Sequence, residues 1–119
     1  MRMWMVNPQA LCNQHLLGEH GEIHKHKHNF EKGHRMTGRV QNNCLEASAL
    51  QSRHDDLADE MLTRGMNHKS PFVAPSIDYL PKWQREFKVD KDLNLRLLLD
   101  KCENCRERHS QGIAKGDNK

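Results

Sequence analysis

Apolar residues at helical spacing in three separate segments restrict the fold of this chain more than any other feature. In the first segment, Cys12, Leu16 and Ile23 lie four and seven residues apart, on one face of a helix. The other two segments contain Leu50, His54, Leu57, Ala58, Met61 and Leu62, and then Leu95, Leu98, Leu99 and Cys102. Aromatic residues amount to three Phe, two Trp and one Tyr, which disfavours a large β-sandwich or barrel. The pattern predicts an all-α fold.

Capping residues give the bounds of these helices. Asn7 is a typical N-cap and Pro8 a typical first helical residue. Gly65 has the position of a C-terminal cap, and Asp90 or Asp92 can cap the third helix. The predicted helices are residues 8–24, a helix that begins within 46–52 and ends at 65, and residues 91–106.

The remaining segments have turn and loop character. Residues 25–43 are interpreted as a loop with short helical pieces, and residues 66–81, with three prolines, as an irregular connection. A chain of 119 residues can bury one core. We therefore expect a single compact domain of about three main helices over residues 1–109, followed by a frayed, flexible tail over residues 110–119.

Membrane and secretion signals are not apparent. No run approaches the roughly 18 apolar residues of a membrane span. The opening apolar stretch is interrupted at Asn7-Pro8 and is too short for a secretory signal. The four cysteines do not have the pattern of a secreted disulfide framework. We expect reduced thiols, a cytoplasmic location and no contact with membranes.

Basic residues are concentrated in the first third of the chain. Residues 1–40 contain six Lys and Arg against three Asp and Glu, together with six of the nine His. Histidine can add positive charge near pH 6, so this part suits a surface that faces phosphates. The alternative is a solvated surface of mixed charge, which composition alone favours.

The first predicted helix has a polar stripe beside its apolar stripe. Glu22 lies within about 20° of His15 around the helix, and Glu19 lies about 40° to the other side. Lys25 follows one turn after Glu22. A histidine and two carboxylates on one face can do acid–base work. From spacing alone, an ordinary exposed polar face is favoured.

Two further patterns point to metal binding, each with a simpler alternative. In an extended segment, His24, His26 and His28 would share one face, as three ligands of Zn²⁺ do, and the same segment would also suit a cationic loop facing DNA. Cys102 and Cys105 have CxxC spacing, but they lie in a predicted helix and have no second such pair. Cys102 also fits the apolar stripe as a small hydrophobic residue.

Two stretches of the chain resemble motifs of one known protein family. Residues 13–22 read Asn-Gln-His-Leu-Leu-Gly-Glu-His-Gly-Glu, and they resemble Gln-His-Leu-Met-Ala-Glu-Tyr-Arg-Glu in the first helix of the pyrimidine dimer DNA glycosylase family of the phage endonuclease V type. Residues 60–67 read Glu-Met-Leu-Thr-Arg-Gly-Met-Asn, and they resemble the family's Glu-Cys-Leu-Lys-Arg-Gly-Phe-Asn. The order and positions agree over roughly residues 1–70.

The resemblance implies a compact helical enzyme that removes a damaged base and then cuts the DNA backbone at the abasic sugar. By this resemblance, the amine of Met1 attacks the sugar C1′ and forms an imine, and Glu22 supports the proton transfers. His15 would lie near the sugar, Arg2 beside the amine, and Lys25 at a DNA contact.

Further implications concern partners and specificity. The expected partner is damaged or abasic double-stranded DNA. Lys32, Arg35 and Arg39 are candidate contacts to its phosphates, and the alternative for these residues is solvated loop charge. The enzyme would be a monomer of bacterial or phage origin that uses no metal or cofactor. Gly21 replaces the family's arginine before the catalytic Glu, and the family's aromatic-rich tail has no counterpart here. The alternatives are a non-catalytic nucleic-acid-binding helical module and a small zinc-binding protein that uses His24, His26, His28 or the Cys pair.

Overall fold

The computed structural model describes residues 2–68 and 71–113, and all regular secondary structure in these residues is helical. It comprises α1 (Asn13–Glu31), α2 (Thr37–Gln41), α3 (Leu50–Thr63), α4 (Lys82–Glu86), α5 (Lys91–Lys101) and α6 (Glu103–Arg108). Short 3₁₀ turns at Pro8–Ala10 and Ala47–Ala49 precede α1 and α3, and a π-helical turn at His109–Ile113 follows α6. The all-α prediction is confirmed.

The first helix is longer than predicted and begins later. The Asn7 side chain accepts a hydrogen bond from the Gln9 amide at 3.0 Å, so the predicted cap is present, but it opens only the 3₁₀ turn. Helix α1 restarts at residue 13 and continues to residue 31, so the loop predicted from residue 25 was wrong over its first seven residues. The buried face continues through Ile23, His26 and Phe30. Because His26 is polar, a pattern of apolar residues at helical spacing does not reveal this continuation.

The second predicted helix agrees with α3. Gly65 follows it with a φ of 81°, a left-handed conformation that favours glycine, and its amide donates to the Leu62 carbonyl at 3.0 Å. Most of the predicted apolar stripe of α3 is buried, whereas Leu62 is 55% exposed. The irregular connection is confirmed for residues 66–68 and 71–81, with one turn at 78–79.

The third predicted helix, residues 91–106, is divided into α5 and α6 in the structure, so the prediction of one continuous helix was wrong. The Asp90 side chain caps α5 by accepting from the Leu93 amide at 3.0 Å, as expected. The helix ends at Lys101 because Cys102 adopts an extended conformation, with φ −124° and ψ 107°, before α6 begins. Helix α4 was not predicted. The tail was expected to fray from residue 110, but a helical turn continues to residue 113, and residues 114–119 lie outside the described part.

The core lies where α1 and α3 pack together, with the N-terminal segment on one side. Completely buried members include Met3, Leu11, Leu16, Ile23, Val40, Leu45 and Leu57. The C-terminal helices add Leu98 and Cys105, both fully buried. In the described part of the chain, no helix has the length and apolar character needed to cross a membrane.

Candidate active site

Glu22 lies in the middle of α1 in an almost water-free setting. The residue is 5% exposed, although its side chain carries a carboxylate. Arg39 Nη1 donates to Glu22 Oε1 at 2.8 Å, and the Arg39 side chain is itself 45% exposed. A buried charge needs a partner, and here that partner reaches in from the surface.

His26 completes this site and was not assigned to it from the sequence. It lies one turn after Glu22, with Nε2 3.8 Å from Glu22 Oε1, and it is fully buried. Burial lowers the pKa of His26 from 6.5 to about 4; the Glu22 carboxylate opposes the shift and Arg39 adds to it. The imidazole is therefore neutral at pH 7, beside an ionisable carboxyl. The i, i+4 spacing was the available signal.

Glu19, on the same helix face, has a different environment. Its two carboxylate oxygens accept from Arg53 Nε at 2.6 Å and Nη2 at 2.9 Å, and both side chains are buried. Arg53 Nη1 also donates to the Val6 carbonyl at 2.6 Å. Glu19 therefore anchors α1 to α3 and to the N-terminal segment.

The start of the chain is held beside the segment that carries Arg39. The Met3 amide donates to the Cys44 carbonyl at 2.8 Å, and the Cys44 amide donates to the Arg39 carbonyl at 2.9 Å. Buried Asn94 on α5 donates to the carbonyls of Met3 and Trp4 at 3.3 and 3.1 Å. Met1, the predicted nucleophile, lies outside the described residues.

The predicted phosphate-binding cations are on or near the surface. Lys25 on α1 is exposed, as are Lys32 and Arg35 in the connection between α1 and α2. Arg2 is partly buried, with Nη1 donating to Asn94 Oδ1 at 3.0 Å and its guanidinium 5.4 Å from the Trp4 ring centre. The structure thus brings one predicted cation, Arg39, to the predicted carboxylate. The roles of the other cations in DNA binding stay predictions.

His15 lies in a different environment from Glu22, about 10 Å back along the helix axis at 1.5 Å per residue. Its Nδ1 is 3.2 Å from Cys12 Sγ and 3.4 Å from Cys105 Sγ. The edge of the Trp4 ring packs against it, with ring centres 5.9 Å apart. The expectation that His15 positions a sugar stays a prediction.

The extended zinc-binding segment was wrong, because His24, His26 and His28 are helical and do not share one face. His24 instead joins a cluster with His20, His54 and His68, in which the ring nitrogens that can bind a metal lie within 4.8 Å of one another. His20 Nε2 is 2.8 Å from His68 Nε2 and 3.2 Å from His54 Nε2. Burial and then the neighbouring imidazoles lower the pKa of His20 to about 4. These rings are close enough to hydrogen-bond as neutral imidazoles or to share a cation.

A comparison with known protein families finds a match over residues 1–74 of the chain. A model of the pyrimidine dimer DNA glycosylase family matches residues 1–74, which contain α1 to α3, Glu22, His26 and Arg39. Curated proteins and solved structures gave no match. Because the family match covers more than half of the 119 residues, the chain belongs to the pyrimidine dimer DNA glycosylase family, whose role is in DNA repair.

Proposed function

We propose that the protein is a DNA glycosylase with abasic-site lyase activity on damaged or abasic double-stranded DNA. The amine of Met1 is the nucleophile, and Glu22 transfers protons. The observation that carries the proposal is the setting of Glu22, a buried carboxylate beside a neutral imidazole, held by one arginine that reaches the surface. This setting lies within the segment that matches the family.

An α-amino group suits this chemistry better than an ordinary lysine. Its pKa is about 8 in model peptides, against about 10.4 for lysine. At pH 7 roughly a tenth of an α-amine is neutral, against less than about a thousandth of a lysine. Because only the neutral amine attacks carbon, the chain terminus supplies a nucleophile without a specially buried lysine.

The proposed reaction proceeds through an imine. At a damaged nucleotide, the amine nitrogen bonds to C1′ as the bond to the base breaks, and the base leaves with a proton from the amine. The C1′–O4′ bond then breaks and O4′ takes a proton, which opens the sugar and leaves a cationic imine at C1′. At an abasic site, the amine adds to the C1′ aldehyde and water leaves. The cationic imine acidifies the C2′ proton. Glu22 accepts a proton during the elimination, and the C3′–O bond breaks to release the 3′ phosphate. Water then hydrolyses the imine and returns the amine.

The N-terminal segment supports this pairing of amine and carboxylate. Two backbone hydrogen bonds and one ion pair connect Met3, through Cys44 and Arg39, to Glu22. Two residues of extended chain span about 7 Å. The proposal therefore requires that a sugar bound in front of Glu22 lies within about this distance of Met3.

Arg39 has a second role in the proposal. A phosphate of the bound strand would compete with Glu22 for the Arg39 guanidinium, since arginine binds phosphate and carboxylate in the same fork geometry. Transfer of Arg39 to phosphate frees the carboxylate when DNA is present. Arg2, Lys25, Lys32 and Arg35 supply further positive charge to DNA. The target nucleotide has to leave the base stack to reach the site.

Borohydride trapping tests the proposal directly. The protein is incubated with an abasic duplex and reduced, and the covalent adduct is mapped by peptide mass spectrometry. We expect attachment at residue 1 and loss of the adduct when the amine is acetylated. If the protein binds DNA but forms no adduct, the result would contradict the proposed enzyme and favour a non-catalytic nucleic-acid-binding module. A duplex with a cyclobutane dimer, run in parallel, reports the glycosylase step separately from the lyase step.

A further inference from the structure

Four potential metal ligands converge at the N-terminal end of α1. They are Cys12, His15, Cys102 and Cys105, and their sulfur and nitrogen atoms all lie within 4.8 Å of one another. The cysteines are free, and Cys12 and Cys105 are buried. The cluster is separate from Glu22, and His15 as a metal ligand would replace the role near the sugar that the resemblance implies for it.

The same local arrangement brings each pair of ligands together. Cys12 is the N-cap of α1, and His15 lies in its first turn. Cys102 is the N-cap of α6, and Cys105 lies in its first turn. The break between α5 and α6 at Cys102 therefore has a consequence: the Cys105 amide, which in a continuous helix would donate to the carbonyl of residue 101, donates to Cys102 Sγ instead.

Three of the six distances between ligand atoms are close to those of a tetrahedral zinc site, and the other three are at most 4.8 Å. With a Zn–S bond of about 2.3 Å and a Zn–N bond of about 2.0 Å, the corners are separated by about 3.8 Å for two sulfurs and about 3.5 Å for sulfur and nitrogen. Cys12 Sγ lies 3.8 Å from Cys102 Sγ. His15 Nδ1 lies 3.2 Å from Cys12 Sγ and 3.4 Å from Cys105 Sγ.

Backbone amides also point at the sulfurs. The Cys12 amide donates to Cys105 Sγ at 3.2 Å, and the Cys105 amide donates to Cys102 Sγ at 3.4 Å. N–H groups that donate to ligand atoms help to fix the orientation of those ligands. These donors are built into the fold around the cluster.

We propose that Cys12, His15, Cys102 and Cys105 bind one structural Zn²⁺ ion in a tetrahedral Cys₃His site. Three thiolates and an imidazole suit Zn²⁺, and four protein ligands leave no open position for catalysis. Cys12 and His15 lie in the part that matches the family, whereas Cys102 and Cys105 lie beyond it. The ion would connect α6 to the start of α1, the helix that carries Glu22. A bound metal differs from the expectation that the protein uses no metal.

Cobalt substitution tests the site with a signal specific to thiolates. The full-length protein, with no affinity tag remaining, is titrated with Co²⁺ after zinc removal, and its zinc content as purified is measured by mass spectrometry. We expect a thiolate-to-cobalt charge-transfer band that saturates at one equivalent. The four-imidazole cluster contains no sulfur, so His54→Asn is expected to keep the band.

Cys44 provides a matched control, because it is a partly buried free cysteine whose Sγ donates to the Asn42 carbonyl, outside the cluster. Cys102→Ser should lose the band and one equivalent of zinc relative to Cys44→Ser. The proposal is overturned if Cys102→Ser keeps the band, or if the wild-type protein gives none. The wild-type titration decides the matter even where Cys102→Ser does not fold.

Discussion

Glu19 and Glu22 lie three residues apart on one helix, and each pairs with an arginine, yet the two pairs differ in their access to water. Glu19 and Arg53 are both buried and make a two-pronged contact. Glu22 is equally hidden, but the Arg39 side chain that holds it is almost half exposed. Two glutamates on one helix face therefore differ. Glu19 belongs to a fully buried structural pair, whereas the arginine that holds Glu22 can be reached from solvent.

The difference lies in what can replace each arginine. Breaking a fully buried pair leaves a charge without water, which costs about 3–5 kcal/mol. Solvent reaches the partly exposed Arg39 side chain, and by the proposal this arginine leaves its carboxylate for a phosphate of bound DNA. Buried pairing alone does not indicate function, and the exposure of the partner separates the two carboxylates.

The largest expected effect is on catalysis. Glu22→Gln keeps the shape of the side chain and removes its capacity to accept a proton, so strand cleavage should fall about 10²- to 10⁴-fold. DNA affinity, measured by fluorescence anisotropy, should change little. Glu19→Gln is the matched control, and its main effect should be a lower free energy of unfolding. Equal loss of cleavage and affinity in Glu22→Gln would point to a folding role for Glu22.

Stability gives the next effect. Arg53→Met leaves Glu19 buried and without its partner, and we expect the free energy of unfolding in urea to fall by about 3–5 kcal/mol. Adding Glu19→Met should recover part of this loss, because the uncompensated charge is gone. A double variant no more stable than Arg53→Met would contradict the assignment of the pair.

Low pH should lower the free energy of unfolding through His26, which lies beside Glu22. Burial lowers the pKa of His26 from 6.5 to about 4, so the folded state binds fewer protons than the unfolded chain does at the same pH. The contribution is therefore present above pH 6.5 and lost as the pH falls towards 4, by roughly 3 kcal/mol in total. Glu22 and Arg39 face the ring with opposite effects on its charge. His26→Gln should flatten this part of the stability profile in urea titrations, and an unchanged slope would contradict a buried neutral imidazole.

The smallest effect is expected at Arg39. The Arg39 side chain is partly exposed, so water can reach Glu22 once this arginine is replaced. Arg39→Gln should therefore lower the free energy of unfolding by about 1 kcal/mol, well below the loss expected in Arg53→Met. The slope of DNA affinity against salt should fall by about one if Arg39 contacts a phosphate. A stability loss as large as that of Arg53→Met, with an unchanged salt slope, would remove the distinction between the two pairs.

Local signals predicted several elements well, although they missed the late start of α1 at residue 13 and the break at Cys102. Helix α3, the left-handed Gly65 and the Asp90 cap all followed from spacing and residue type. The extension of α1 was missed because His26 occupies an apolar position, and short α4 has little periodicity of its own. The division at 1–109 and 110–119 stays a prediction.

By itself, the sequence determined the helical class, the family motifs and the carboxylate and histidine types available on α1. Only the tertiary structure decided which group each of them meets. Glu19 finds Arg53 across 34 residues, and Cys12 meets Cys105 across 93. Helix formation depends on neighbours within a turn or two, and the chain can be read for that directly. Pairing of charges and gathering of ligands depend on packing between distant segments, which no local spacing encodes.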